Sequence, residues 1–550
     1  MIARRESFPE LTRARNGAWR KSVLLSRHHA QEAAMTSRSL WMEIDVAPDA
    51  GPLSASERCD VVVVGSGIAG LSTAYELAKR QLSVIVIDRG RICSGMTART
   101  TAHLSPLCDD LMSEMANLRG QELAKDFYQS QAAAVSRIEQ IQKDEAIDCD
   151  FRRLDGYLFQ GRRQVPDIID KELDAARAAG MPLERLVGVP FAGCRDRHVL
   201  RYADQATFHP LRYLAGLVRA CAGMGVKFFA GSPVQEVIEE HGGARVKTAH
   251  DSILAAGAVI ATNAPIVDRY ALHTKMGPYR TYAMAFTVKQ GALPDALYWD
   301  TEDPYHYVRL QPGARGKDYV IVGGEDHKTG EADDAEKRFG RLEDWARELI
   351  PPLENITHRW SGQVLETIDY AGFIGRNPGS EHIYVATGDS GQGMTHGVAG
   401  AMINADLITF GRSEWAHVYA PDRKPVAAMG NYLRENATAL KSFAEYLTPG
   451  EITSLDELKG GHGAILRQGL NKIAAYRKEN GELQLRASSC THIGCQLHFN
   501  SFEQTWDCPC HGSIFDVDGE PLNAPAISPL QGIDANPEQA EEQERSLQHS

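Results

Sequence analysis

Two Cys/His pairs near the C-terminal end of this chain could hold a metal. Cys490 and His492 form a Cys-x-His pair in the run C-T-H-I-G-C, and Cys508 and His511 form a Cys-x-x-His pair in C-P-C-H-G-S. Two thiolates and two imidazoles suit a [2Fe–2S] cluster with cysteine on one iron and histidine on the other, a centre that moves electrons singly. The same donor types bind structural zinc. Zinc has no use for the further Cys495 and Cys510, or for Gly494, Pro509 and Gly512 around them.

A second pattern lies four hundred residues upstream. Gly65, Gly67 and Gly70 spell G-x-G-x-x-G, with Ser66, Ile68 and Ala69 between them. Such glycines allow a tight turn, close approach to a pyrophosphate and tight helix-on-strand packing. A helix starting there offers free N–H groups and a positive dipole end to phosphates. Asp88, eighteen residues after Gly70 and followed by Arg89, is placed to accept hydrogen bonds from ribose hydroxyls.

The elements that must position these groups follow from the apolar pattern. Residues 61–64 form an apolar, β-branched run suited to a buried parallel strand, 71–79 have helical spacing, and 84–87 form a second buried strand. Three later segments favour FAD over NAD. Residues 94–105 form a hydroxyl-rich loop containing Thr100, Thr101 and Ala102. Residues 258–265 read as a late buried strand ending at Thr262 and Asn263. Residues 383–400 read as strand, Gly-rich turn and helix start.

With these segments in this order, residues 57–412 resemble the D-amino-acid dehydrogenase and glycine oxidase family of FAD oxidoreductases. The resemblance implies a flavin contact at Gly391, Gly393, Met394 and Thr395, and an adenine contact at the backbone of Val234. It also implies oxidation of an amine or amino acid by hydride transfer to flavin. His103 raises the question of a covalent flavin, but the linked histidine of related demethylating enzymes aligns nearer Arg99, so non-covalent FAD is expected.

Residues 490–513 resemble the Rieske family, and the likeness covers about the last hundred residues. It implies Cys490, His492, Cys508 and His511 as ligands of one [2Fe–2S] cluster. It also implies a Cys495–Cys510 disulfide, as in cytochrome bc-type members. Residues 519–530 resemble the proline-containing loop over the cluster, with Asn523 and Ala524 where glycine is common. Ser513 matches a serine that donates to cluster sulfur. Phe515 stands where high-potential members carry tyrosine. A potential within the Rieske range of roughly −150 to +300 mV, but below its top, is expected.

The 550 residues suit several domains. The fold class expected is an α/β Rossmann-like FAD-binding domain with an inserted α+β substrate domain, plus a C-terminal all-β Rieske domain. The flavin domain is read as 57–152, 200–265 and 360–412, the substrate domain as 153–199 and 266–359, a helical connector as 413–448 and the Rieske domain as 449–531. Residues 1–56 read as a poorly ordered extension, with an Arg-rich 1–34 that fits an over-long start before Met35. Residues 532–550 read as a disordered acidic tail.

A net charge of −13 argues against nucleic acid as partner. No apolar run reaches the ~20 residues of a membrane span. The six cysteines outside the cluster motif have no paired spacing and fit reduced thiols in a cytoplasmic protein.

The reading of function is a dehydrogenase. It oxidises an amine or amino acid and passes electrons through the cluster to a one-electron carrier, such as a ferredoxin or cytochrome, near exposed His492 and His511. Arg309 is the candidate carboxylate anchor, because guanidinium binds carboxylate in a bidentate fork; a surface arginine is the alternative. Glu325 and His327, in G-G-E-D-H-K-T-G, are candidates to reach the substrate, with solvated turn residues as the alternative. Other classes stay open. They are a reductase fed through the cluster, a non-catalytic redox sensor, and a Rieske oxygenase, for which no two-His, one-carboxylate iron triad is evident.

Overall fold

The computed structural model describes residues 37–533 apart from 47–49, 163–166, 241, 268–271 and 470. The expectations for 1–34 and for the tail beyond 533 lie outside the described residues.

The first sheet runs in the order Phe373–Arg376, Ile383–Thr387, Ser252–Ile260, Glu57–Val64, Val84–Ile87, Lys227–Phe229. Glu57–Val64 lies at its centre and pairs in parallel with Ser252–Ile260 and Val84–Ile87. Val61 to Val64 are buried on both faces, as a central parallel strand requires. The helix Ile68–Lys79 follows directly and lies against the helix Gly393–Phe410. A Cβ on Gly70 would sit 1.9 Å from the Gly65 carbonyl oxygen, so only glycine closes this strand-to-helix turn.

The second sheet has nine strands and walls the substrate side. Its order is Ile356–Thr367, Met276–Lys289, Lys317–Lys328, His306–Pro312, Leu297–Asp300, Arg152–Phe159, His198–Thr207, His103–Leu104, with Leu183–Val187 paired to His198–Thr207. Two strands expected mostly within the flavin domain, His198–Thr207 and Ile356–Thr367, belong here instead. Both leave the flavin side by long pairings with substrate strands, a non-local event that apolar pattern alone does not reveal.

The residues just before the first strand are ordered, which corrects the expectation for the described part of 1–56. Trp41 is fully buried, its indole N–H donates to the Thr100 carbonyl at 2.6 Å, and the Ser39 hydroxyl donates to the Ala98 carbonyl. This turn braces the loop that leads to His103.

The connector carries a helix, Met429–Ala444. The C-terminal domain holds a three-stranded sheet, His462–Gln468, Asn471–Arg477 and Leu483–Ala487. A four-stranded sheet follows, His498–Asn500, Thr505–Asp507, Ile514–Asp516 and Pro521–Asn523. Both are antiparallel, as expected for an all-β domain. No helix among the described residues is long and apolar enough to cross a membrane.

The C-terminal domain is locked onto the substrate sheet. Arg280 and Gln363 are directly opposite on neighbouring strands and so share one face. Arg280 pairs with Asp507 at 2.7 Å, both groups almost fully buried. Gln363 donates to the Gly512 carbonyl at 2.9 Å and accepts from Asn523. Phe502 enters the substrate-domain core beside Phe339, with ring centres 4.9 Å apart.

Candidate functional site: a flavin cavity walled by an iron–sulfur domain

One cavity of about 990 Å³ is lined by residues of all three domains. Gly65, Ser66, Gly67, Ile68, Ala69, Asp88, Arg89, Val234 and Thr262 line it, as do Thr100, Thr101, Gly391, Gly393, Met394 and Thr395. Ala102 does not: it is fully buried, its N–H bonds the Thr100 hydroxyl, and its carbonyl faces Arg309. Gly70 is also behind the wall, where it serves packing.

The cavity's dinucleotide end fits FAD. The helix starts at Ile68 with Gly67 as a cap that has no side chain; the Ile68 N–H bonds the Thr97 hydroxyl at 3.0 Å, and the next N–H groups of the first turn point toward the place of a phosphate. Ser66 holds the Asp88 carboxylate, its N–H at 2.8 Å and its hydroxyl at 2.6 Å. The other Asp88 oxygen accepts from the Gly90 N–H at 3.0 Å. The acid at the end of the second strand is thereby fixed facing the cavity.

The two cluster loops have matching hydrogen bonds. The Gly494 N–H bonds the Cys490 carbonyl and the Gly512 N–H bonds the Cys508 carbonyl; the Cys490 N–H bonds Cys495 and the Cys508 N–H bonds Ser513. Cys495 and Cys510 are joined as a disulfide across the loops. Cys490 and Cys508 are buried and close enough for their sulfurs to hydrogen-bond, and the rings of His492 and His511 lie 5.1 Å apart. His511 Nδ1 is buried without a hydrogen-bond partner, as a metal ligand would be. A tighter sulfur group, Cys495, Cys508 and Cys510 within 4.8 Å, is no rival site, because two of its sulfurs are consumed in the disulfide. The set Cys490, His492, Cys508 and His511 therefore fits a [2Fe–2S] cluster. Ser513 is fully buried, and its hydroxyl reaches the Cys490 sulfur while accepting from the Ala526 N–H at 3.0 Å.

The histidine edge of these loops is largely covered, which corrects the expectation of exposed imidazoles. His511 is only 9% exposed and His492 is partly buried. Both pack against His273, which belongs to the segment entering the substrate sheet, with ring centres 4.9 and 5.7 Å away.

The three candidate substrate residues lie outside the cavity wall. Arg309 is fully buried, neither at the surface nor free to anchor a carboxylate. Its guanidinium donates to the carbonyls of Thr101, Ala102 and Phe208 and stacks over Trp41 at 5.3 Å. Glu325 binds Arg341 at 2.6 Å and stands 3.8 Å from His306. His327 bonds the Tyr282 hydroxyl at 3.0 Å, and burial pushes its pKa down to about 4. The residue between them, Asp326, does line the cavity. A bulge is the reason. Tyr282 pairs with Gly324 but Arg280 pairs with His327, so Thr281 faces two residues, and Glu325 takes φ +61°. The extra residue re-aims the strand, and period-two reading fails there.

Other cavity residues escaped sequence reading altogether. Tyr307 bonds Thr281 at 2.9 Å and packs edge-on against His103, with ring centres 5.5 Å apart. Tyr305 donates to Asp109 at 2.8 Å. Tyr307 sits in the strand His306–Pro312 and Tyr305 just before it, and alternation with the buried Arg309 is the available signal.

The fold and site define a flavin-dependent oxidoreductase with a fused iron–sulfur domain. Residues 60–407 match the FAD dependent oxidoreductase family, and the chain belongs to it; residues 450–534 match the Rieske [2Fe-2S] domain. Over 93% of its length the chain is 28% identical to the whole of a Bacillus subtilis (strain 168) protein named as a Rieske 2Fe-2S iron-sulfur protein, YhfW. It is 25% identical, over 65% of this chain and 85% of the relative, to gamma-glutamylputrescine oxidoreductase of Escherichia coli (strain K12). The crystal structure of glycine oxidase from Geobacillus kaustophilus superposes with a TM-score of 0.56 at 18% identity, covering 67% of this chain and 99% of that one. The cofactors are FAD and a [2Fe–2S] Rieske cluster.

Proposed function

We propose that this chain is a dehydrogenase that oxidises an amine or amino acid and delivers the electrons, one at a time, to an external carrier. FAD supplies hydride acceptance from the substrate carbon, and the cluster supplies single-electron transfer. The chain's own residues orient the substrate and hold the two centres in fixed relation.

The observation that carries this reading is Gln363. Its side chain lines the flavin cavity and donates to the Gly512 carbonyl in the second cluster loop. One buried side chain thus separates the cavity from the cluster loop. A Cβ on Gly512, which has φ +80°, would lie 2.7 Å from the Gln363 amide nitrogen and 2.8 Å from Pro278, so glycine is what lets the loop sit flush on the strands. Asn523, from the last strand, closes the same contact. With His273 covering the imidazoles, an acceptor approaches from the outward side of the first loop, where Thr491 is exposed.

The name of the Escherichia coli relative supports an amine in the substrate class. Non-covalent FAD is expected because Arg99 stands near where related demethylating enzymes carry the linked histidine, and acid precipitation should leave the yellow colour in the supernatant. The function is tested by an anaerobic panel of amines and amino acids, followed by flavin bleaching and by reduction of an added ferredoxin or cytochrome. Substrate-dependent reduction of the carrier is expected. Flavin reduction that only oxygen relieves contradicts the dehydrogenase reading.

A further inference from the structure

The inner end of the cavity carries a charge pattern that selects among these substrates. His103 and the Gly391 turn are the flavin-side segments there, and Asp326 and Asp109 stand beside them, with Glu366 and Asp389 as further acids on the same wall. Asp326 lies in the bulge opposite Thr281, which bonds Tyr307, which packs on His103. Asp109 accepts from Tyr305 and is so close to the Gly391 turn that a Cβ on that glycine would lie 2.0 Å from its Oδ2.

Among the described residues neither acid makes an ion pair; the charges of His306 and Arg338 reach Asp326 without a direct contact to its carboxylate. The arginines lining the described cavity are Arg89, Arg99 and Arg280. Arg99 is held by Glu503 at 3.0 Å and Arg280 by Asp507 at 2.7 Å. Arg89 follows Asp88 at the dinucleotide end and donates to the Pro521 carbonyl. His103 and His396 are kept neutral, since burial pulls each down to about 3. Asp326 Oδ1 is buried with no hydrogen-bond partner. Burial pushes Asp109 up to about 6, and burial with the neighbouring Asp109 pushes Asp326 up to about 7.

A buried carboxylate without a counter-charge is costly, and a second anion beside it costs more. An amino acid would bring its own carboxylate to this end with no free guanidinium to receive it. An ammonium group would supply the missing partner. Trp299, Tyr305 and Tyr307 offer apolar and aromatic surface for an alkyl chain.

We propose that the substrate is an alkylamine without an α-carboxylate, and that Asp326 and Asp109 receive its ammonium group and exclude amino acids. This rests on the amine-or-amino-acid reading above and narrows it. Exclusion by an uncompensated like charge is a standard route to specificity.

The test uses the full-length protein with both cofactors. Binding of n-butylamine, butyltrimethylammonium, butyrate and glycine is measured by perturbation of the flavin spectrum under anaerobic conditions, alongside flavin bleaching by n-butylamine, 1,4-diaminobutane, glycine and proline. The two cations should bind at least tenfold more tightly than butyrate or glycine, and the amines should bleach the flavin. Asp326→Asn should weaken butyltrimethylammonium binding at least tenfold, with FAD content and unfolding midpoint unchanged. If that variant folds poorly, Asp109→Asn should show the same weakening. Equal or tighter binding of butyrate or glycine overturns the inference, as does unchanged affinity in both variants. Bleaching by amino acids but not amines overturns it while leaving the amine-or-amino-acid reading intact. Cation-selective binding with no bleaching by any compound supports the charge selection and counts against the dehydrogenase reading instead.

Discussion

The ring of His273 meets the ring of His492 edge-on at 4.9 Å, and so joins the flavoprotein half of the chain to a ligand of the iron–sulfur cluster. His273 is itself only 2% exposed. The contact turns the cluster's imidazole edge inward. It predicts that His273→Ala will slow cluster reduction after flavin reduction tenfold or more, while leaving the rate of flavin reduction by substrate unchanged. Stopped-flow absorbance separates the two rates. Equal loss in both would mean that His273 serves only general stability.

The Arg280–Asp507 pair should matter to the joint between domains. Removing one partner of a buried pair leaves an uncompensated charge and typically costs about 3–5 kcal/mol. Asp507→Ala should therefore lower the urea midpoint for loss of cluster absorbance. The double variant Arg280→Met, Asp507→Leu should recover much of that loss. A double variant less stable than the single one would contradict this.

Stability should fall in mild alkali because of His306. This buried imidazole is held by Asp300 at 3.0 Å and faces Glu325 at 3.8 Å. Burial opposes its charge, but the Asp300 hydrogen bond and the nearby Glu325 carboxylate win and raise its pKa from 6.5 to about 9. A raised folded-state value means that the stabilisation is complete below about pH 6.5 and is lost as pH rises through about 9. The linkage is worth up to about 3 kcal/mol. Urea unfolding between pH 6 and pH 9.5 should show this loss, and His306→Asn should flatten it. An unchanged slope in the variant would exclude His306 as the cause.

Ser513 should tune the cluster. Its hydroxyl reaches the Cys490 sulfur, and such bonds favour the reduced, more negative state. Ser513→Ala should lower the midpoint potential by on the order of 20–60 mV, the one-electron equivalent of a hydrogen bond worth ~0.5–1.5 kcal/mol. Phe515 is fully buried in the position where a tyrosine donor would add a further bond. Phe515→Tyr should raise the potential. A spectroscopic redox titration measures both.

Sequence reading went furthest where chemistry is local. The G-x-G-x-x-G turn, Asp88 and the cluster loops depend on residues a few positions apart, and their geometry follows from their own backbone. It failed where long-range pairing decides. Glu325 and His327 were plausible partners for a substrate until the bulge at Thr281 put Asp326 on the cavity side instead. Arg309 sits in a strand whose tyrosines line the cavity, yet its guanidinium is spent on the Thr101, Ala102 and Phe208 carbonyls from two other segments. Trp41 lies in the short apolar run L-W-M-E-I-D-V, and only its contacts with Thr100 and Arg309 give it a place. The docking of the C-terminal domain through Arg280, Gln363 and His273 joins residues more than a hundred positions apart, beyond the reach of any local pattern.

Substrate electrons should cross from the flavin to the cluster inside this chain. Anaerobic stopped-flow mixing of the fully oxidised protein with an amine that reduces it tests this most directly. Flavin absorbance should bleach first, and cluster absorbance should bleach afterwards in the same molecules, at a rate independent of protein concentration. A fully reduced flavin beside a cluster that stays oxidised would contradict the account.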